Sequence, residues 1–315
     1  MRKRVISVWL PHWPINRLVR AAKRQGPVSL SPENHVHRYA PFALIIEDKG
    51  IERLYALNDV AVKAGLSRGK ALADARAICP GLITKGADLS QDKTALTMLA
   101  YWCQRYTPWV SVDGRDGLLL DISGCAHLFG GEEALCFDLQ KRLAIQGIEA
   151  RIGLADTPGA AWALARYGQS PVDIAPPNGV GECLKNLSVS ALRLDDDVVT
   201  LLFRFGLKTI GSLMNIPRSA LARRFPSRMA SESVLLRLDQ ALGRRHETVT
   251  PLQAPPQYRS RLDFAEPVSS REAIEHALDD LSHNLTDKLA EDHKGAGRFS
   301  LVAYRVGGDV SRVSI

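Results

Sequence analysis

A chain of 315 residues with 45% hydrophobic and 24% charged residues is long enough for two or three domains, each with its own core. These fractions exclude a disordered or low-complexity protein, and no apolar run approaches the length needed to span a membrane. The 41 Lys+Arg against 34 Asp+Glu leave a net charge of +7, a moderate bias toward polyanions that does not by itself separate a nucleic-acid binder from a basic soluble enzyme.

In chain order, Val5 to Leu10 reads as a buried strand that ends at Pro11-His12-Trp13-Pro14, and a helix follows from Ile15 to Arg24. The same prolines break the apolar run behind the basic start Met1-Arg2-Lys3-Arg4, which argues against a signal peptide. Gln25 to His37 reads as a loop, Phe42 to Glu47 and Ile51 to Leu57 as strands, and Asn58 to Pro80 as an Ala-rich helical stretch interrupted at Gly65 to Gly69. Ser90 to Tyr106 is an amphipathic helix with Leu96, Leu99, Ala100 and Cys103 at helical spacing. Trp109 to Val112 and Leu118 to Ile122 form a strand pair; then come helix Glu132 to Gln146, strand Ala150 to Leu154 and helix Gly159 to Arg166. Strands and helices alternating over one mixed sheet define an α+β or α/β class. Asn178 to Leu187 is a connector, Leu187 to Arg245 is helical, and Pro251 to Pro256 is a proline-rich linker. The last segment carries strand Arg259 to Phe264, helix Arg271 to Glu291 with a capping box at Ser269 and Glu272, and strands Phe299 to Val306 and Val310 to Ile315. Its helix presents the stripe Ile274, Leu278, Leu281, Leu285 and Leu289, and the two final strands suggest an abbreviated domain with an open edge. The five cysteines stand singly, as reduced thiols of a cytoplasmic protein do, and the eight histidines are scattered; neither set is assigned a metal.

The most informative segment is Arg115-Asp116-Gly117-Leu118-Leu119-Leu120-Asp121. It resembles the second catalytic motif of Y-family (translesion) DNA polymerases, where adjacent Asp and Glu stand five and four residues before a closing Asp. Those positions here are Asp116 and Gly117. The resemblance extends over nearly the whole chain. Val62-Lys63-Ala64-Gly65-Leu66 with Lys70 to Arg76 is similar to the family's fingers helices, and Ile152-Gly153-Leu154-Ala155 is similar to its third palm motif. Details such as Ala155-Asp156-Thr157-Pro158-Gly159 and Phe205-Gly206-Leu207-Lys208-Thr209-Ile210-Gly211 look closest to the ImuB-type branch of bacterial mutasomes.

The resemblance implies a multidomain α+β architecture: palm and fingers over 1–180 (fingers about 50–90), a helical thumb over 181–250, a linker at 251–256, and an incomplete little finger over 257–315. By register, the family's two metal-binding aspartates of the first strand fall at Trp9 and Pro11, its fingers arginine at Asn58 and its palm lysine at Trp162, while Tyr55 and Asp116 are kept. Two magnesium ions beside a single carboxylate would lack most of their oxygen ligands. The resemblance therefore implies a pseudo-polymerase with no catalytic residue and no cofactor, in which Asp116 is a structural remnant. An active polymerase using Asp113, Asp116 and Asp121 is the alternative, and a protein-interaction module without DNA binding is a third reading.

Leu201 to Leu213 fits a helix-hairpin-helix, with Gly206 as the left-handed cap. Backbone N–H groups near Thr209 and Gly211 are then expected to hold a DNA phosphate without reading sequence. Arg204, Lys208, Arg218, Arg223, Arg224, Arg228, Arg244 and Arg245 surround the hairpin, and Arg259 and Arg261 match where the little finger tracks the backbone. Primer-template DNA is the expected partner, bound near the nucleoid. The resemblance adds the replication sliding clamp, an error-prone C-family polymerase and a RecA-like accessory protein. Gln140 to Ile145 carries a glutamine and an apolar residue at the spacing of a clamp peptide, but inside a predicted helix.

Overall fold

The computed structural model describes residues 3–24, 40–225, 227–253, 258–304, 306 and 309–315. It divides into two compact units, Met1–Leu252 and Gln253–Ile315. The expected loop at 25–37 lies outside the described residues.

A five-stranded sheet of order β5-β6-β1-β7-β8 organises the first unit. Its strands are β1 (Val5–Trp9), β5 (Val110–Asp113), β6 (Gly117–Asp121), β7 (Arg151–Ala155) and β8 (Val172–Ile174). Only the β7–β8 pair is parallel. β1 lies between β6 and β7 with antiparallel neighbours on both sides, so its first four residues are buried and read as an unbroken apolar run. Register sets Trp9 opposite both Gly117 and Arg151, and Asp113 opposite Gly117, which gathers these positions at one end of the sheet.

Strand alternation divides the core into two layers. Ile6, Val8, Leu118, Leu120, Ile152 and Leu154 pack with Leu96, Leu99 and Cys103 of α4 (Leu89–Cys103) and with Leu135, Leu139 and Leu143 of α5 (Glu132–Ile145). Leu143 is fully buried there, so the Gln140 to Ile145 segment holds its apolar residue in the core. Val5, Leu119 and Ala155 face the other way, onto α6 (Pro158–Tyr167) and the helical segment beyond it. That segment runs through α7 (Val180–Leu184), α8 (Asp196–Arg204), α9 (Ile210–Met214), α10 (Arg218–Arg224) and α11 (Arg228–Ala241).

A smaller sheet of order β3-β2-β4 joins β2 (Phe42–Asp48), β3 (Ile51–Leu57) and β4 (Ile83–Gly86), flanked by α2 (Asp59–Lys63) and α3 (Leu72–Ile78). α1 (Trp13–Arg24) leads out of β1, and Trp13 donates to Asp92 O at 3.0 Å. Asn58 caps α2: its Oδ1 accepts from Ala61 N at 2.9 Å and Phe42 N at 3.1 Å, and its Nδ2 donates to Ala40 O at 2.8 Å. Strands β4 and β8 were not expected; both are short parallel edges whose three or four residues carry no period.

Arg4, expected only as part of a basic start, is buried. Its guanidinium donates to Glu132 at 2.6 and 2.8 Å, to Asp156 at 2.9 Å and to Ala175 O at 2.9 Å, tying β1 to α5 and β7. The cysteines are free; burial pushes the thiols of Cys103 and Cys136 up to about 12.

The second unit holds α12 (Arg271–Glu291) and the hairpin β9 (Ser300–Tyr304) with β10 (Val310–Ser314). No strand forms over 259–264, although Leu262 and Phe264 alternate with charged residues, because β9 pairs only with β10 among the described residues and a strand needs a partner edge. Ser270, not Ser269, caps α12, accepting from Ala273 N at 3.2 Å. Ala277 and Leu289 are its buried positions, whereas Ile274 is exposed.

Gly153 makes the site described next possible. A Cβ on it would stand 2.2 Å from Ala161 O and 2.5 Å from Ala165 N, so α6 rests on bare β7 backbone. Gly153→Val is expected to lower stability by roughly 3 kcal/mol, read as a reduced urea midpoint with an unchanged slope.

Candidate active site

The Trp9 end of the sheet carries a cluster of charges and indoles where the resemblance places two metal ions. The β5–β6 hairpin supplies Asp113 and Asp116, β1 supplies Trp9, and α6 supplies Trp162 and Arg166 one turn apart on one face. Arg166 Nη2 lies 3.2 Å from Asp116 Oδ1 and 3.7 Å from Asp113 Oδ2. Its guanidinium carbon stands 4.3 Å from the Trp162 ring centre and 5.7 Å from that of Trp9. The Trp9 indole donates to Asp116 Oδ2 at 3.1 Å, and Arg68 Nη1 lies 3.9 Å from the same oxygen. Asp116 therefore meets an indole donor and two arginines.

Gly117 completes the arrangement. A Cβ there would come within 2.9 Å of Arg166 Nη2 and of Asp113 O, and 3.3 Å of Asp113 Oδ2. A side chain at this position would require Arg166 Nη2 and the Asp113 carbonyl to shift from where they stand. Asp121 offers no replacement: it stands at the far end of β6, opposite Val5, with its Oδ1 accepting from Ser123 N at 3.0 Å. Glu247 adds repulsion to Asp113, but its carboxylate is held by Arg193 at 2.7 Å and Arg237 at 3.7 Å. The residues present therefore do not fit a two-magnesium centre. Magnesium demands oxygen ligands in near-octahedral geometry, and the two convergent carboxylates already face a fixed cation.

The electrostatics follow from burial. Desolvation draws Arg166 below the ordinary guanidinium range, against the attraction of Asp116 and Asp113. Desolvation pushes Asp113 above the usual carboxylate value, against Arg166 and Arg193. Asp113 Oδ2 has no hydrogen-bond partner among the described residues, so the charge of Arg166 is its main compensation.

The remaining predicted positions are scattered around this cluster. Pro11 offers its carbonyl to Arg68. Asn58 is the cap and sheet brace described above, not a phosphate ligand. Tyr55 is half-buried beside Ile15 and Phe42, and burial pushes its hydroxyl above the ordinary phenol value.

The hairpin forms as expected around Gly206, at φ 77°, with Thr209 Oγ1 capping α9 by accepting from Ser212 N at 3.2 Å. Two of the amides at this helix start are engaged inside the chain. Ile210 N donates to Leu187 O and Gly211 N to Lys185 O, both at 2.9 Å, so these donors are used within the chain. A Cβ on Gly211 would lie 2.7 Å from Lys185 O; that glycine serves packing. The surrounding basic residues are also less free than their number suggests. Arg218 and Arg244 face Asp239, and Arg228 pairs with Glu232. Arg204, Lys208, Arg223 and Arg245 are exposed without an ion-pair partner among the described residues; the side chain of Arg224 lies outside them. Arg261 pairs with Asp263 at 2.7 Å, and Arg259 is exposed.

Sequence reasoning missed Arg166, Arg193 and Glu247. The one available signal was the i,i+4 spacing of Trp162 and Arg166 in a predicted helix.

The comparisons with known proteins agree with this architecture. DinB from Sulfolobus solfataricus matches 99% of this chain and 87% of its own, with a TM-score of 0.61 at 16% identity. Dbh DNA polymerase in an insertion ternary complex matches the same shares with a TM-score of 0.63 at 15% identity. The fold is that of Y-family DNA polymerases. Residues 31–166 match the impB/mucB/samB family. It is 42% identical over 244 residues to Protein ImuB of Caulobacter vibrioides, an alignment covering 78% of this chain and 52% of that protein. DNA polymerase IV 2 of Mesorhizobium japonicum is 26% identical over 172 residues, 54% of this chain and 40% of its own. The chain thus spans about half the length of the curated relatives it matches.

Arg166→Met would leave Asp113 buried with its main charge partner gone. Asp113 is raised in the folded state, so the folded protein holds its proton more tightly than the unfolded chain does. The resulting cost is absent below the unfolded carboxylate value and grows as pH rises through the folded one. The variant is expected to lose about 3 kcal/mol at pH 7.5 and less at pH 4.5, and Asp113→Asn should restore part of the loss, measured by urea unfolding at both pH values.

Proposed function

We propose that this chain is a non-catalytic, DNA-binding scaffold of error-prone translesion synthesis and damage-induced mutagenesis, with palm and fingers over 1–180, a thumb over 181–250 and a little-finger-like segment over 257–315. The supporting observation is the guanidinium of Arg166 seated between Asp113 and Asp116, with Gly117 leaving the room it occupies. A polymerase palm must neutralise and orient an incoming triphosphate through metal ions. A palm whose carboxylates are neutralised by its own arginine keeps the fold and gives up that chemistry.

DNA contact rests on the exposed Arg204, Lys208 and Arg223 of the helical segment and on Arg259 of the second unit. Phosphate contacts of this kind bind without reading sequence. The relatives support the setting: one is ImuB and another is a DNA polymerase, and the Dbh neighbour is a ternary complex. By the same resemblance the partners are the sliding clamp, a C-family polymerase and a RecA-like protein.

Primer-template binding measured across a salt series should weaken steeply. The double variant Arg204→Ala/Lys208→Ala is expected to bind roughly tenfold more weakly near 0.1 M salt and to lower the log–log salt slope by about 2. No magnesium-dependent primer extension is expected in the same samples. Extension that disappears in Asp116→Ala would overturn the reading.

A further inference from the structure

A second cluster lies apart from Arg166, where three chain segments of the first unit meet. His12 stands in the turn between β1 and α1, Asp59 is the first residue of α2, and Glu149 sits between α5 and β7. His12 Nε2 is 3.2 Å from Asp59 Oδ1 and 3.8 Å from Glu149 Oε2, and the three candidate ligand atoms lie within 4.8 Å of one another. On the other side of the ring, Nδ1 is 3.2 Å from Leu57 O.

That carbonyl can only accept, so Nδ1 carries a hydrogen and Nε2 is turned toward two groups that are also acceptors. A neutral imidazole has one N–H to give. The contacts are completed either by a second proton on Nε2 or by a cation held between Nε2 and the carboxylates. An imidazole fixed by a backbone carbonyl through one nitrogen while the other points at carboxylates is also how metal-bound histidines are held. Arms of about 2.0–2.1 Å in a tetrahedron give ligand–ligand edges of about 3.3 Å; the His12–Asp59 spacing of 3.2 Å matches that edge, and the exposed Glu149 carboxylate at 3.8 Å would close in on an ion.

We infer that His12, Asp59 and Glu149 form a Zn²⁺-class site with one position left to water, clamping the small sheet to the central one. One neutral imidazole and two carboxylates neutralise the ion. Nitrogen donation favours zinc over magnesium, which prefers oxygen ligands. Asp59 and Glu149 are exposed, so the ion has a path from solvent.

The test uses the full chain stripped with a chelator and titrated with Zn²⁺ against a chromophoric competitor, with Co²⁺ as a spectroscopic stand-in. One equivalent is expected to bind and to give the visible absorption of four-coordinate Co²⁺. The melting temperature should rise by about 5 °C at a hundredfold excess over Kd. Affinity should fall at least about tenfold in His12→Gln and in Glu149→Gln; the second removes an exposed ligand without touching the His12–Leu57 contact, and circular dichroism confirms that both variants fold. Equal binding by wild type and both variants, no binding at all, or displacement of zinc by equimolar Mg²⁺ would each overturn the assignment, the second leaving His12 as an imidazolium between two acids.

Discussion

A polymerase palm is a sheet end loaded with negative charge, and its stability depends on what supplies the opposite charge. In this chain the supplier is covalent. Arg166 reaches Asp116 and Asp113 at 3.2 and 3.7 Å while its planar face lies against the indole of Trp162. A guanidinium suits the position because it is weakly hydrated, stays charged under all ordinary conditions and stacks on aromatic rings. Every departure from the family pattern around it then has a use. Gly117 makes room, Trp9 donates to the spare oxygen of Asp116, and Trp162 covers the cation. These features depend on one another, since a side chain at 117 would crowd both Arg166 Nη2 and the Asp113 carbonyl.

The same cation begins a longer chain of interactions. The Arg193 guanidinium carbon stands 5.8 Å from the Trp162 ring centre and its Nη2 holds Glu247 at 2.7 Å, and Glu247 also faces Arg237 of α11. Beside it, Thr157 Oγ1 donates to Ala241 O at 2.8 Å, and a Cβ on Gly159 would lie 3.1 Å from Ala241 Cα. The start of α6 is thus bonded to the end of α11 while its last turn fills the charged pocket. Because one apolar cluster also runs from Val5 and Leu119 through α6 to Leu202, Ile210 and Leu238, the helical segment shares a core with the central sheet.

Much of this fold was legible in the chain, and the failures have physical causes. β1, β3 and α5 could be placed because burial on both faces or on one helical stripe leaves a long periodic trace. β4 and β8 could not, being short edges. The loss of ligands at Trp9, Pro11 and Gly117 was visible as residue types, but their replacement was not. Arg166 is an ordinary arginine in an Ala-rich helix until β7 brings it under the β5–β6 hairpin. The hairpin illustrates the converse error. Gly206 announces a turn by its backbone requirement, yet whether the next N–H groups are free depends on Lys185 and Leu187, which no local pattern reveals.

Charge counting misleads for the same reason. Eight basic residues around the hairpin suggest a strong polyanion surface, but Asp239 faces Arg218 and Arg244, and Glu232 faces Arg228. Each such pair must be broken, or its acid left close to phosphate, before the arginine can release a counterion from DNA. In the proposed DNA contact the electrostatic contribution scales with phosphates neutralised, so it would follow the unpaired Arg204, Lys208, Arg223 and Arg245 and not the total. On the proposed reading, a few such contacts would make a weak, sequence-blind grip.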